Sequence, residues 1–325
     1  MEDIMKTKNW ILIAIFAIII GASLLALTAC SIGGDFSKLL TENETVSITL
    51  TDSFDSISLD VDTSDINFVR SEDGKCTVVS NHVKNVNVSV KVENGALLIE
   101  KSDDRAWYEY VFVVSDRSDV TVYLPDAEYN ALTIDASTGD VNVPKDFSFG
   151  SLDISLSTGD VEIGASVNGL LKVDLTTGDA RISDISAGEL QLSATTGDIT
   201  VENVSVEGDV SLSIGTGDSY LTNVSCASLT SDGTSGNLDM KRVLVAGKLT
   251  ATRTTGDTTF TDCDAETLEI ETSTGDVVGN LLTEKIFSTN TTTGKVNVPD
   301  STSGGICKIK TNTGNITITI GSSEG

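Results

Sequence analysis

Carboxylates dominate the chemistry this sequence could perform. Asp140, Asp160, Asp179, Asp198 and Asp218 each follow a glycine and stand 19 or 20 residues apart. Stacked in one row about 5 Å apart, such charges would repel by about 0.8 kcal/mol per pair in water. Hydrogen bonds from backbone amides would offset that cost, as in Asx turns; a row of bound cations such as calcium is the alternative. Corner capping is the ordinary use of an Asp beside a turn glycine, and the spacing calls for no other cofactor. The phrase differs from the calcium-binding nonapeptide repeat, whose period is much shorter.

Other chemistries find little support. His82 is the only histidine, so no second imidazole exists for a proton relay or a His-rich metal cage. No G-x-S-x-G elbow occurs, and the five cysteines show neither C-x-x-C nor zinc spacing. Cys76, Cys226, Cys263 and Cys307 read as packing residues. Asp262 and Asp264 form a carboxylate pair, but 48 acidic residues produce such pairs by chance. Arg253 is an oddity: it stands three before a glycine, where other repeats carry Ala136, Leu156, Leu175, Ala194 or Ile214. Its side chain either fills room left by Gly233 of the preceding repeat as a buried functional arginine, or swings outward at a bulge, the commoner fate of an arginine. No catalytic residue is assigned. The expectation is a non-enzyme, with a polysaccharide-active solenoid enzyme as the alternative.

The acidic balance narrows the partners. With 21 basic residues and a net charge of −27, the chain repels phosphate backbones, which excludes nucleic acid as a partner. It also lacks the basic patch for docking on anionic lipid. At 39% hydrophobic residues and a mean hydropathy of +0.07, it is too apolar for a disordered acidic tail.

The elements that must position these carboxylates repeat. Ten glycines, from Gly139 through Gly159, Gly178, Gly197, Gly217, Gly236, Gly256, Gly275 and Gly294 to Gly314, recur every 19 or 20 residues. Seven before each stands an apolar residue, among them Leu132, Leu152, Leu171, Leu190, Val210 and Leu229. Pairs such as Val161/Ile163 and Ile316/Ile318 follow at two and four. Two-residue alternation on both sides of a glycine turn reads as strand, turn, strand. A third apolar residue, such as Val167, Ile185 or Val204, suggests a further wall. One unit cannot cover its own apolar face, so units must stack. The expected fold is all-β: a parallel β-solenoid of about ten 19–20-residue coils, with an N-terminal β-hairpin cap and an N-terminal membrane anchor helix.

The remaining segments serve the ends. Residues 1–30 read as a signal or anchor segment, 31–44 as a linker, 45–130 as an N-terminal β region and cap, and 131–320 as the repeats. Ile11 to Ala29 carry no charge and as a helix would reach about 28 Å, close to a bilayer's hydrocarbon thickness. Lys6 and Lys8 precede this run, which orients the rest of the chain outside the cytoplasm. Leu27-Thr28-Ala29-Cys30 resembles the box cut before a lipid-modified cysteine, so Cys30 is a lipidation candidate and an uncut single-pass anchor is the equal alternative. Either way the membrane is a partner through residues 10–30, and the expected location is the cell membrane with the bulk of the chain extracytoplasmic. Ile57 to Phe68 looks like a degenerate coil with Ser64 in the glycine place. Val88, Val90 and Val92 face Leu97 and Ile99 across an Asn94-Gly95 hairpin turn. The aromatic cluster around Trp107, Tyr108 and Tyr110 caps the first coil or forms an exposed ligand-binding patch.

The ten Ser/Thr-Gly-Asp/Asn/Lys phrases behind an N-terminal anchor resemble the bacterial putative-adhesin family of β-strand-repeat proteins, a domain of unknown function. Phe54-Asp55-Ser56-Ile57, Tyr123-Leu124-Pro125 and Val143-Pro144-Lys145-Asp146-Phe147 carry the same resemblance, which spans roughly residues 45–320. It implies a β-solenoid on the cell envelope and no catalytic residues. The functional expectation is a membrane-anchored adhesive or interaction scaffold with an unknown protein or glycan ligand. The other readings are an envelope-stress or sensing component and a calcium-stabilised fibre.

Overall fold

A computed structural model describes residues 43–83, 86–102 and 118–321. Within them the regular elements are all β-strands, joined into a parallel β-solenoid of about nine turns. The long strand before each glycine pairs in register with its equivalents. Leu152 lies between Leu132 and Leu171, and Leu190 lies between Leu171 and Val210. The short strand after each glycine stacks likewise, Val161 between Val141 and Ala180. The inward row from Leu132 to Leu268 is fully buried, as are Val167, Ile185, Val204, Val224 and Val243 of the further wall. The alternating pattern thus becomes apolar columns inside a prism, each residue covered by its equivalents above and below. One-residue differences in period are absorbed at bulges, for example between Phe149 and Leu152 and between Val245 and Lys248.

From Gly139 to Gly275 each corner sits on the preceding one, the glycine N–H donating to the carbonyl of the following coil at 2.9 to 3.0 Å. At both ends the expected sequential order fails. Gly305–Thr313 lies between Thr258–Thr274 and Lys285–Thr293, pairing Cys307 with both Leu268 and Phe287. The Gly314 coil therefore fills a level between the Gly275 and Gly294 coils. Gly304 and Gly305 permit the return: a Cβ there would fall 1.7 Å from the carbonyl oxygens of Glu284 and Glu266. At the other end Ser56–Thr63 pairs with both Ala96–Ser102 and Tyr129–Thr138. The Ser64 coil is thus sandwiched too, with strands Ala96–Ser102 and Asp119–Leu124 on its outer side. Ser64 holds the glycine place as read from the sequence, its N–H donating to Thr138 O at 2.8 Å.

Antiparallel strands pair onto this first end. Asn87–Glu93 forms the expected hairpin with Ala96–Ser102, pairing Val90 with Ile99 and Val92 with Leu97. Cys76–Val83 lies antiparallel between Asn43–Leu50 and Asp119–Leu124. The expected anchor helix, with Cys30, lies outside the described residues, and so do Trp107, Tyr108 and Tyr110. No helix among the described residues is long and apolar enough to cross a membrane.

Candidate functional site

The five aspartates are brought together as one row, each engaged with its neighbour. Asp160 N–H donates to Asp140 Oδ1 at 2.9 Å, Asp179 to Asp160 at 2.8 Å, Asp198 to Asp179 at 2.7 Å and Asp218 to Asp198 at 2.8 Å. The ladder begins at Asp65 and continues through Asn237, Asp257, Asp276 and Asn315 to the N–H of Lys295. Asn237 and Asn315 serve as well as Asp, so the corner needs a side-chain oxygen rather than a charge. Each of the ten corner glycines has φ between 126° and 159° and sits against the carbonyl of the neighbouring corner. A Cβ on Gly178 would come within 1.8 Å of Gly159 O. No group of three or more His, Cys, Asp or Glu among the described residues is placed to hold a metal ion.

Two further corners were not read from the sequence. Asp184, Asn203, Asn223, Arg242 and Asp262 adopt φ of 53° to 59° in the left-handed region. Their side chains form a second ladder, Asn203 Nδ2 donating to Asp184 Oδ1 at 2.9 Å and Asn223 Nδ2 to Asn203 Oδ1 at 2.7 Å. At the third corner Gly150, Gly169, Gly188 and Gly208 press against the coil below, where a Cβ would meet carbonyl oxygen at 2.5 to 2.8 Å. The sequence signal was the same 19–20-residue period, carried by Asn, Asp and lone Gly outside the more conspicuous phrase.

Arg253 corrects the outward-swung reading. Its side chain is inside the solenoid, 2% exposed, in space that Gly233 leaves open. Nη1 donates to the carbonyls of Ser231 (3.0 Å) and Thr252 (2.8 Å), and Nη2 donates to Ser231 Oγ at 2.9 Å. Arg253 Nε and Thr258 Oγ1 find no partner. Burial lowers the guanidinium to about 10, so it stays charged at neutral pH. With Ser219, Ser231, Thr272 and Thr311, it makes a buried polar vein in the second half of the core.

Burial pushes the thiols of Cys76 and Cys263 up to about 11 and those of Cys226 and Cys307 up to about 12, so they are free, protonated packing groups. His82 is buried, bonds Ser80 Oγ through Nδ1 at 3.1 Å, and is lowered by desolvation and then by Lys101. The buried Lys285 pairs with Asp264 at 2.7 Å. Glu269, between Lys248 and Lys308, is lowered to about 2.

Grooves are also present among the described residues. One of about 420 Å³ runs beside the aspartate ladder across four coils and includes Asn142, Glu162, Arg181 and Thr200. Arg181 is held there by Glu202 at 3.0 Å. A second, of about 460 Å³, lies on the further wall by Leu244, Asp264, Glu266 and Lys285. A third, of about 430 Å³, lies at the first end between Asp52, Phe54, Lys75 and Pro125, with the stacked Phe54 and Tyr129 rings as its floor. The four aspartates that line the first groove each accept the backbone amide of the next corner.

The family model Toastrack DUF4097 matches residues 54–319. No curated protein matches the chain. Among solved structures, a putative adhesin from Bacteroides fragilis is 13% identical, with a TM-score of 0.45 over 84% of this chain and 99% of that one. A putative adhesin from Parabacteroides distasonis is 14% identical, with a TM-score of 0.47 over 84% and 98%. A putative lipid binding protein from Parabacteroides distasonis is 16% identical, with a TM-score of 0.47 over 74% and 96%.

Proposed function

The chain belongs to the Toastrack DUF4097 family, and from that premise we propose that it acts as a non-enzymatic interaction scaffold, anchored in the membrane and displayed outside the cytoplasm. The observation that carries this reading is the use to which its polar groups are put. Asp and Asn side chains at the corners bond the next coil, so the chemistry-bearing residues build the rod. What the rod offers is repetition: walls of equivalent side chains and grooves that cross several coils, suited to an extended protein or glycan ligand. The anchor rests on the uncharged run from Ile11 to Ala29, whether kept whole or cut before Cys30.

The test is a glycan and protein binding screen on the full chain. Saturable binding with the ligand recovered intact supports the scaffold, whereas cleaved ligand overturns it. External protease applied to intact bacterial cells making the full chain addresses location: digestion of the 43–321 region is expected, and protection refutes display. Mass analysis of the mature N-terminus then separates lipidated Cys30 from an uncut anchor.

A further inference from the structure

The two ends of the solenoid are finished differently. Antiparallel strands Asn43–Leu50, Cys76–Val83 and Asn87–Glu93 pair onto the first end. At the other, among the described residues, Lys285–Thr293 pairs only with Gly305–Thr313, and Val296–Asn297 only with Ile316–Ile320. One side of this last coil is an open strand edge, about 30 Å long at ~3.3 Å per residue. The core columns are exposed there: Val296 is 44% exposed, while Ile316 and Val277 behind it are fully buried. Ile286 and Ile306, side by side on the outer wall, are 44% and 57% exposed.

From this we infer that the open edge is a homotypic docking surface, and that two copies of the chain pair there end to end, strand Lys285–Thr293 antiparallel to its counterpart about a two-fold axis. Three observations select a second copy. First, residues 286–293 carry no charge, and residues 285–321 hold four lysines and one carboxylate in a chain of net charge −27. This end is where two copies approach without the repulsion their acidic walls impose. Second, the aspartate ladder stops here. Lys295 donates its backbone N–H to Asn315 Oδ1 but presents an ammonium where each earlier coil presents an acceptor oxygen. A further parallel coil, as in a head-to-tail filament, would leave its corner amide unpaired. Antiparallel pairing sends the two Lys295 corners to opposite ends of the interface and needs no acceptor from either. Third, the edge is self-complementary. Ser288, Thr289, Asn290 and Thr291 suit cross-strand hydroxyl and amide pairing, and the isoleucines are covered at the margin. The end of a rod is small, so the pairing is weak, with dissociation in the micromolar range.

This inference goes beyond the scaffold reading, since the ends pair whatever ligand the walls hold. The test is sedimentation of the full chain in a density-matched mild detergent from about 1 to 500 μM. A monomer–dimer equilibrium is expected, weakened at least tenfold in Ile286→Lys/Ile306→Lys and unchanged in Tyr220→Ser, which removes an exposed aromatic from another wall. Both substituted isoleucines are exposed, and an unaltered thermal melt confirms that the variant folds. A wild type that stays monomeric to 500 μM, a dimer that survives the double substitution, or a series of species larger than dimers each overturns the proposal. The ligand screen is read separately, so failure of one leaves the other standing.

Discussion

A single side-chain oxygen decides what each corner residue does. Asp179 accepts the amide of Asp198 and donates its own amide to Asp160, so its charge is incidental to the bond. Asp179→Asn is therefore expected to leave the melting temperature unchanged or raise it, because one like-charge repulsion disappears. Asp179→Ala strands an amide and is expected to cost about 1–2 kcal/mol; chemical denaturation of the two variants checks both. Calcium or a chelator should move neither melt. Arg253 makes a different case, a buried cation bonded to carbonyl and hydroxyl oxygens. Arg253→Met keeps most of the volume and removes the charge, so its stability should fall within about 1 kcal/mol of wild type or exceed it. Arg253→Ala opens a cavity beside Gly233 and is expected to lose about 2–4 kcal/mol.

Strands and corners convert these local bonds into a rigid coil. At Gly178 the backbone needs positive φ and contact with the preceding coil, so Gly178→Ala forces a backbone collision at 1.8 Å. A loss of about 3 kcal/mol or more is expected. Gly74 has φ 72° but open space around it, and Gly74→Ala should cost only about 1 kcal/mol. The difference between the two melts measures stacking apart from backbone strain. The antiparallel strand Cys76–Val83 carries an acid sensitivity. His82 titrates below its ordinary value of 6.5 because burial and Lys101 disfavour the imidazolium. The unfolded chain binds that proton more readily, so the strand's contribution is present above pH 6.5 and declines as pH falls through it. His82→Gln should be less stable than wild type at pH 8, and the gap should narrow at pH 5.5.

The whole molecule behaves as a stack whose terminal levels are locked by their neighbours. Because the Gly314 coil lies between the Gly275 and Gly294 coils, truncation after Asp300 removes a middle layer rather than a tip. The residual Lys285–Thr293 strand then has no partner, and unravelling back toward Gly275 is expected. Limited proteolysis should read this as rapid loss of residues 282–300, while the coils before Gly275 persist, since each depends on its nearest neighbours. Displaced levels at both ends also place the first and last coils of the described residues inside the stack. Fraying from either end therefore has to release an outer coil first.

The 19–20-residue period was enough, without coordinates, to specify parallel coils, the buried column that starts at Leu132 and continues through Leu152, and the glycine-Asp corner. These are repeating local demands: alternate residues need a common inside, and a corner glycine needs the same geometry each time. Ser64 and the Asn94-Gly95 hairpin were legible for the same reason, as local turn chemistry. The order of levels at the ends was not legible. Equivalent coils present nearly equivalent edges, and only the packing of Cys307 against both Leu268 and Phe287 decides which coil lies where. Arg253 likewise turned inward because one neighbour, Gly233, vacates volume and two carbonyls accept its protons, a relation between coils that no single repeat contains. The open, weakly charged edge at Lys285–Thr293 is a third property of the assembled stack: which strand is left unpaired is settled only when every other strand has found its place.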